Sequence, residues 1–178
     1  MSKHWRQTPW RKAMAVISTM MVMALASGAG AERLGPVTNL PIPRFVSIKT
    51  NEANIRRGPS TTHRIDWVFR HQGMPVIVTG EYGHWRRVVD RDGVGGWIHY
   101  ALLSGTRTVI VDADEVFLRS QPSPNAKVKA RAEKGVIARL GDCESDWCEI
   151  RADGYRGWVA ADALWGLDVN DVRGAPED

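Results

Sequence analysis

Cys143 and Cys148 flank Glu144-Ser145-Asp146-Trp147 within GDCESDWCEIRADGYRGW, Gly141 to Trp158. Three chemistries use cysteines at such a spacing. A nucleophilic cysteine needs a histidine base held beside it, and no histidine follows His99. A zinc clip needs four ligands, and His63, His71, His84 and His99 show no paired ligand spacing. In an exported chain an even cysteine count reads as a disulfide, and a bridge closing this short ring contributes ~2 kcal/mol by loop entropy. His84 with Asp90 or Asp92 is the nearest approach to an acid–base pair. These residues sit around a hairpin with no nucleophile, and solvated turn acids account for them better than a hydrolase does. The expectation is no catalytic residue, no metal and no cofactor.

Export is argued from the start of the chain. Lys3, Arg6, Arg11 and Lys12 precede an apolar run, Ala13 to Ala26, and Ala29-Gly30-Ala31 offers a small-x-small cleavage pattern. This is a secretory signal peptide over residues 1–31, cut after Ala31. The run falls short of the ~20 residues that cross a bilayer as a helix, so no stable membrane insertion is expected after signal removal. The protein is expected to be secreted or periplasmic.

Removing the signal changes the charge argument. The chain has 24 basic and 20 acidic residues, and the segment through Ala31 holds four of the basic and none of the acidic. A basic, nucleic-acid-binding reading therefore loses its support. The remaining charge is uneven, with the half before Thr106 positive and the half after it negative.

A repeat of about sixty residues organises the rest. Arg56/Arg119, Pro59/Pro122 and Ser60/Ser123 coincide at one offset, and Gly73/Gly135 and Trp85/Trp147 at an offset one shorter. Asp92-Gly93/Asp153-Gly154, Gly96-Trp97/Gly157-Trp158 and Leu103/Leu164 follow at an offset shorter by one more. Short β-branched and aromatic runs alternate with glycine turns, and Asp-Gly between alternating strands is a strong hairpin signal. Ala126 to Ala132 has helical propensity, but its match, His63 to Arg70, fits a helix poorly, so a loop and strand are predicted there. Five short strands per unit fit a small closed barrel, which leaves no exposed sheet edge.

These motifs, x-[IL]-R-x-x-P-S, W-x-x-[VI] after a glycine turn, and a G-W-[IV] strand ending in leucine, resemble bacterial SH3 (SH3b) domains, in tandem from Arg44 to Trp165. The resemblance implies an all-β protein of two tandem SH3-like five-stranded small barrels. It also implies a non-enzymatic role in binding cell-wall peptidoglycan or an envelope protein or peptide. The expected domains are a Pro-containing extended lead-in over 32–43, barrels at 44–105 and 106–166, and an acidic flexible tail over 167–178.

Strand alternation then separates core from surface. Val88 and Ile150 are predicted inward, so Trp85 and Trp147 turn outward with Arg87 and Arg151. With Ile98 and Val159 inward, Trp97 and Trp158 also face out. Trp85, Trp97, Trp147, Trp158, Arg87 and Arg151 are the candidate ligand-binding residues, since tryptophan and arginine dominate binding hot spots. The proline and tyrosine of a polyproline pocket, which the resemblance would place at His99 and Leu102 and at Ala160 and Ala163, are missing. Arg56 and Arg119 are expected to brace loops. Tyr82 and Arg86 are taken as the first-unit counterparts of the cysteines. Trp67 and Trp165 have no counterparts and are candidates for the joint between units. A structural accessory with packed barrels and no wall binding is the alternative function.

Overall fold

The computed structural model describes residues 33–168 and Asp171; the signal peptide and its Ala31 cleavage position lie outside the described residues. The first repeat contributes β1 (Arg44–Ile48), β2 (Ala53–Arg56), β3 (Ile65–Phe69), β4 (Pro75–Tyr82), β5 (Trp85–Val89), β6 (Gly95–His99) and β7 (Leu103–Ser104). The second contributes β8 (Thr108–Val111), β9 (Glu115–Arg119), β10 (Val128–Glu133), β11 (Ile137–Glu144), β12 (Trp147–Ala152), β13 (Tyr155–Ala160) and β14 (Leu164–Trp165). A single 3₁₀ turn precedes the last strand of each set, at Tyr100–Leu102 and Ala161–Ala163.

Each set forms one antiparallel sheet, in the orders β3-β2-β6-β5-β4-β1-β7 and β10-β9-β13-β12-β11-β8-β14. The two orders are identical element by element, which the sixty-residue repeat predicts. The five-stranded expectation undercounts each sheet by two. The hairpins β2–β3 and β9–β10 pair into the sheet through Arg56↔Trp97 and Trp158↔Arg119. The stretch of helical propensity, Ala126 to Ala132, is strand from Val128 onward.

Both sheets roll around their own cores. Ile55 and Phe69 from one end of the first order meet Ile48 from the other end, with Val76, Val78, Val88 and Ile98 between them. Val109, Val111, Val116, Leu118, Cys148, Ile150, Val159 and Leu164 do the same in the second. Each such aliphatic side chain, once buried, contributes about 1.5–3 kcal/mol. The glycine of each Gly-Trp pair allows the roll to close. A Cβ on Gly96 would lie 2.6 Å from the Arg56 carbonyl oxygen, and one on Gly157 2.8 Å from that of Arg119. At the other end of β13, Asp153 (φ 49°) and Gly154 (φ 81°) supply the paired left-handed conformations of a two-residue hairpin turn.

Cys143 and Cys148 face each other across β11 and β12 and are joined, with Cα atoms 4.0 Å apart. The register corrects the sequence alignment at this point. Glu81 and Arg86, not Tyr82 and Arg86, are the facing pair at the same place on β4 and β5. The offset set by Trp85 and Trp147 holds through the whole hairpin, so an ion pair in one repeat occupies the position of a disulfide in the other. Glu81 and Arg86 are both buried, and Arg86 Nε lies 3.5 Å from Glu81 Oε1.

Glu81 also holds the lead-in. Residues 33–43 fold back as a loop instead of running extended, with Leu34 bridged to Pro41 and Ile42 buried in the first core. The Glu81 carboxylate accepts from the Val37 and Thr38 backbone N–H groups (3.0 and 2.9 Å), from Thr38 Oγ1 (2.6 Å) and from Arg44 (2.9 Å). Burial alone would raise its pKa, but the bonds from Thr38, Arg44 and Val37 outweigh burial and hold it at about 2.

The repeats meet at a bonded joint. Ser47 Oγ donates to the Thr106 carbonyl (2.9 Å), Thr108 Oγ1 donates to the Gly73 carbonyl (2.6 Å), and Arg91 pairs with Asp112 (3.0 Å). Phe45 meets Trp165 edge to face at 5.1 Å, and the Arg107 guanidinium lies 5.8 Å from the Phe45 ring centre. Arg107 is in turn held by Asp168 (3.0 Å) and Asp171 (2.7 Å), so the start of the acidic segment is tied down rather than frayed. Trp165 thus lies at the joint, whereas Trp67 stands 51% exposed on β3.

Candidate functional site

The pleat orients the candidate residues as the alternation argument requires. Val88, Ile98 and Ile150 are fully buried and Val159 nearly so, while Trp85, Trp97, Trp147 and Trp158 lie half-buried on the outer faces. Cross-strand pairing sets their neighbours, because facing residues bring Cβ atoms within about 5 Å. In the first repeat Trp85 faces His99 and Arg87 faces Trp97. In the second Trp147 faces Ala160 and Glu149 faces Trp158. One type of position in these pairs therefore differs between repeats, and the surface changes with it.

Beside Trp147 a groove of about 230 Å³ opens, because Ala160 leaves the indole face uncovered. Trp147 and Phe117 line it with Val116, Val159, Ala163 and Glu115. Phe117 is 45% exposed, and the Arg119 guanidinium sits 6.0 Å from its ring centre. Arg119 is otherwise occupied, donating to the Ala126 carbonyl at 2.9 Å, as Arg56 does to the Thr61 and His63 carbonyls. Both arginines brace loops, as expected.

The corresponding surface of the first repeat is filled. His99 stands where Ala160 does and meets Trp85 edge to face at 5.5 Å. Tyr100 packs 4.9 Å from His99, and His84 packs 5.6 Å from Tyr100. His99 Nδ1 accepts the Ala101 backbone N–H (3.3 Å), which fixes the ring over this site.

A different groove, about 270 Å³, opens in the first repeat around Trp97 and Arg87. Its remaining lining includes Arg57, Asp66 and the bare backbone of Gly95 and Gly96. Asp66 accepts from Arg64 (2.8 Å) and Arg57 (3.1 Å), and these two bonds hold its carboxyl below the usual carboxylate range. In the second repeat this position is closed in its turn. Glu149 replaces Arg87, Arg156 replaces Gly95, and the two form an ion pair, with Arg151 3.6 Å from the same carboxylate. Glu149 is only 6% exposed although it lies on an outer face. Of the predicted residues, Trp97 and Arg87 share a groove and Trp147 lines another. Trp85 packs edge to face with His99, and Trp158 and Arg151 belong to the Glu149 cluster. The sequence reading missed Phe117, Arg57 and the closing role of His99. Their signal was present in the cross-strand pairs, but it needs the register.

A family model for the bacterial SH3 domain matches residues 49–105 and 112–166, both repeats. The chain belongs to the bacterial SH3 domain family. SH3 domains of this kind are non-catalytic modules that typically bind the cell wall. The first strand of each SH3 repeat, β1 and β8, precedes the matched residues yet pairs into its sheet. No curated protein matches the chain. Structures of NlpC2 and NlpC1 from Trichomonas vaginalis are similar over 75% and 74% of this chain, at 18% and 17% identity and TM-scores of 0.34 and 0.32. The chain spans about half the length of each, 51% and 48%.

Proposed function

We propose that this tandem SH3 protein is an exported, non-catalytic module that recognises peptidoglycan or an envelope peptide through the outer face of its second repeat. The observation that carries this reading is the open groove between Trp147 and Phe117, at the position that His99 covers in the first repeat. An apolar trough walled by two aromatic rings suits an extended ligand with small side chains, and an indole is a favoured anchor. The disulfide and the family are in keeping with an extracytoplasmic setting.

Co-sedimentation with purified peptidoglycan tests it. Wild-type protein is expected to pellet, and Trp147→Ala or Ala160→His to lower the affinity at least ~30-fold, the effect of losing a ~2 kcal/mol hot spot. Absence of wild-type pelleting removes wall binding. It would favour the second reading, a structural envelope accessory, which the bonded joint between the repeats supports. Equal pelleting by wild type and both variants removes the groove.

A further inference from the structure

The two repeats have opposite patterns of open and closed surface, and the groove open in the first has a chemistry of its own. Arg57 and Arg87 line it with one carboxylate, Asp66. Arg57 and Arg64 share that carboxylate, whereas Arg87 enters no ion pair among the described residues. The acids of the neighbouring turn are also engaged. Asp90 Oδ1 accepts the Asp92 and Val94 backbone N–H groups (3.0 and 2.8 Å), and Asp92 lies 3.7 Å from Arg91. The groove lining is net positive, two arginines against one aspartate. Its wall is the Trp97 indole, directly across the strand pair from Arg87. Gly95 and Gly96 also line it, and a Cβ on either would run into backbone, which holds these two positions to glycine.

We infer that this groove is a second, separate ligand site, taking a carboxylate or phosphate group carried on a sugar-sized ring. Arg87 binds the anion, with Arg57 beside it, and Trp97 stacks on the ring. A guanidinium offers several donors in a planar fork, which matches both oxyanions, and an indole face takes a flat apolar surface. The volume is at the small end for ligand pockets and admits a single ring. At the matching place in the second repeat Glu149 and Arg156 are paired with each other, so the counterpart of Arg87 is an acid already bound to a cation. The inference rests on the reading that the outer faces are ligand faces. It concerns a different repeat from the wall-binding groove, so each is tested alone.

Titration of the full exported chain with glucuronate, glucose 6-phosphate and neutral glucose, followed by assigned amide and indole NMR signals, tests it. The Gly93, Gly95 and Gly96 amides and the Trp97 indole N–H are expected to shift saturably with at least one anion and not with glucose. Response to glucuronate alone assigns a carboxylate ligand, to the phosphate alone a phosphorylated one, and to both a general anion site. Arg87→Glu, which reproduces the second repeat's residue at an exposed position, is expected to weaken binding at least ~10-fold, the loss of one charge-assisted bond. Arg57→Gln is expected to weaken it less. Ala160→His, in the other groove, should leave these shifts unchanged. No shift with either anion, equal shifts with glucose, or an Arg87→Glu variant that binds as wild type overturns the inference. Loss of sedimentation in Trp147→Ala bears only on the second-repeat groove.

Discussion

Glu81→Gln is the most informative perturbation of the scaffold, because one carboxylate joins the lead-in, β1 and the β4–β5 hairpin. Its folded pKa of about 2 lies well below the ordinary value of 4.5. At about 1.4 kcal/mol per pH unit, that difference corresponds to about 3 kcal/mol of stability from the ionised group. The folded value is the lower one, so the contribution is fully present above the unfolded pKa of 4.5 and is lost as pH falls through that range towards 2. By pH 3 about 60% of it should be gone. The neutral amide of the variant would keep the shape and some of the hydrogen bonds but leave Arg44 and Arg86 without their counter-charge, and Arg86 is buried. Urea unfolding followed by indole fluorescence at pH 7 and pH 3 measures the effect. Wild type and variant are expected to differ by about 3 kcal/mol at pH 7 and by about 1 kcal/mol at pH 3. A gap that is the same at both pH values would refute the assignment of this carboxylate as the tie between lead-in and barrel.

Two other outcomes follow from the same structure. Reduction of Cys143–Cys148, or replacement of both by serine, should lower the stability of the second repeat by ~2 kcal/mol and leave the first unchanged; thermal unfolding with and without reductant measures it, and an unchanged curve rejects a structural role. Phe45→Ala should remove the edge-to-face contact with Trp165 and the surface under Arg107, so that one unfolding transition separates into two by calorimetry; a single unaltered transition would mean that the hydrogen bonds at Thr106 and Thr108 and the Arg91–Asp112 pair hold the repeats together without it.

The fold was legible because its cues are local or periodic. Asp153-Gly154, the Gly-Trp pairs and the repeated Trp-x-x-aliphatic runs each specify a turn, a close approach or a strand face without reference to distant chain, and the structure uses them so. The lead-in was not legible. Three prolines suggest an extended segment, but the conformation of residues 33–43 is set by a carboxylate some forty residues later, at Glu81. The strand β10 was legible only through its match with His63 to Arg70, since Lys129, Arg131 and Glu133 alternate with small residues and present no apolar face of any size. The site was half legible. Alternation placed four indoles outward, but whether an indole borders open space depends on the residue across the strand pair. Register alone shows that His99 covers Trp85 while Ala160 bares Trp147.

The repeats have diverged by exchange at facing positions rather than by drift across the surface. At the hairpin a buried ion pair, Glu81–Arg86, stands where a disulfide joins Cys143 to Cys148. Either device ties the same two strands, but the ion pair leaves a carboxylate free to capture Thr38 and Arg44, and a disulfide cannot. Only the first repeat therefore holds a lead-in through this position. At the outer face His99 closes one groove of the first repeat and Arg156 with Glu149 closes the other groove of the second. Each exchange involves two or three side chains on neighbouring strands; those at the outer face leave Val88, Ile98, Ile150 and Val159 all buried, whereas at the hairpin Cys148 joins the second core and Arg86 does not join the first. Two barrels with one strand order can in this way carry two surfaces of different charge and polarity. His99→Ala tests the idea in the reverse direction. Removing the imidazole should uncover Trp85 and open a groove beside it, with Asn54 where the second repeat has Phe117, at a cost of about 1 kcal/mol for the lost aromatic contact. Peptidoglycan pelleting by His99→Ala in a Trp147→Ala background should then recover part of the lost affinity. If it recovers none while the variant remains folded, the residue across the strand pair does not decide which repeat binds.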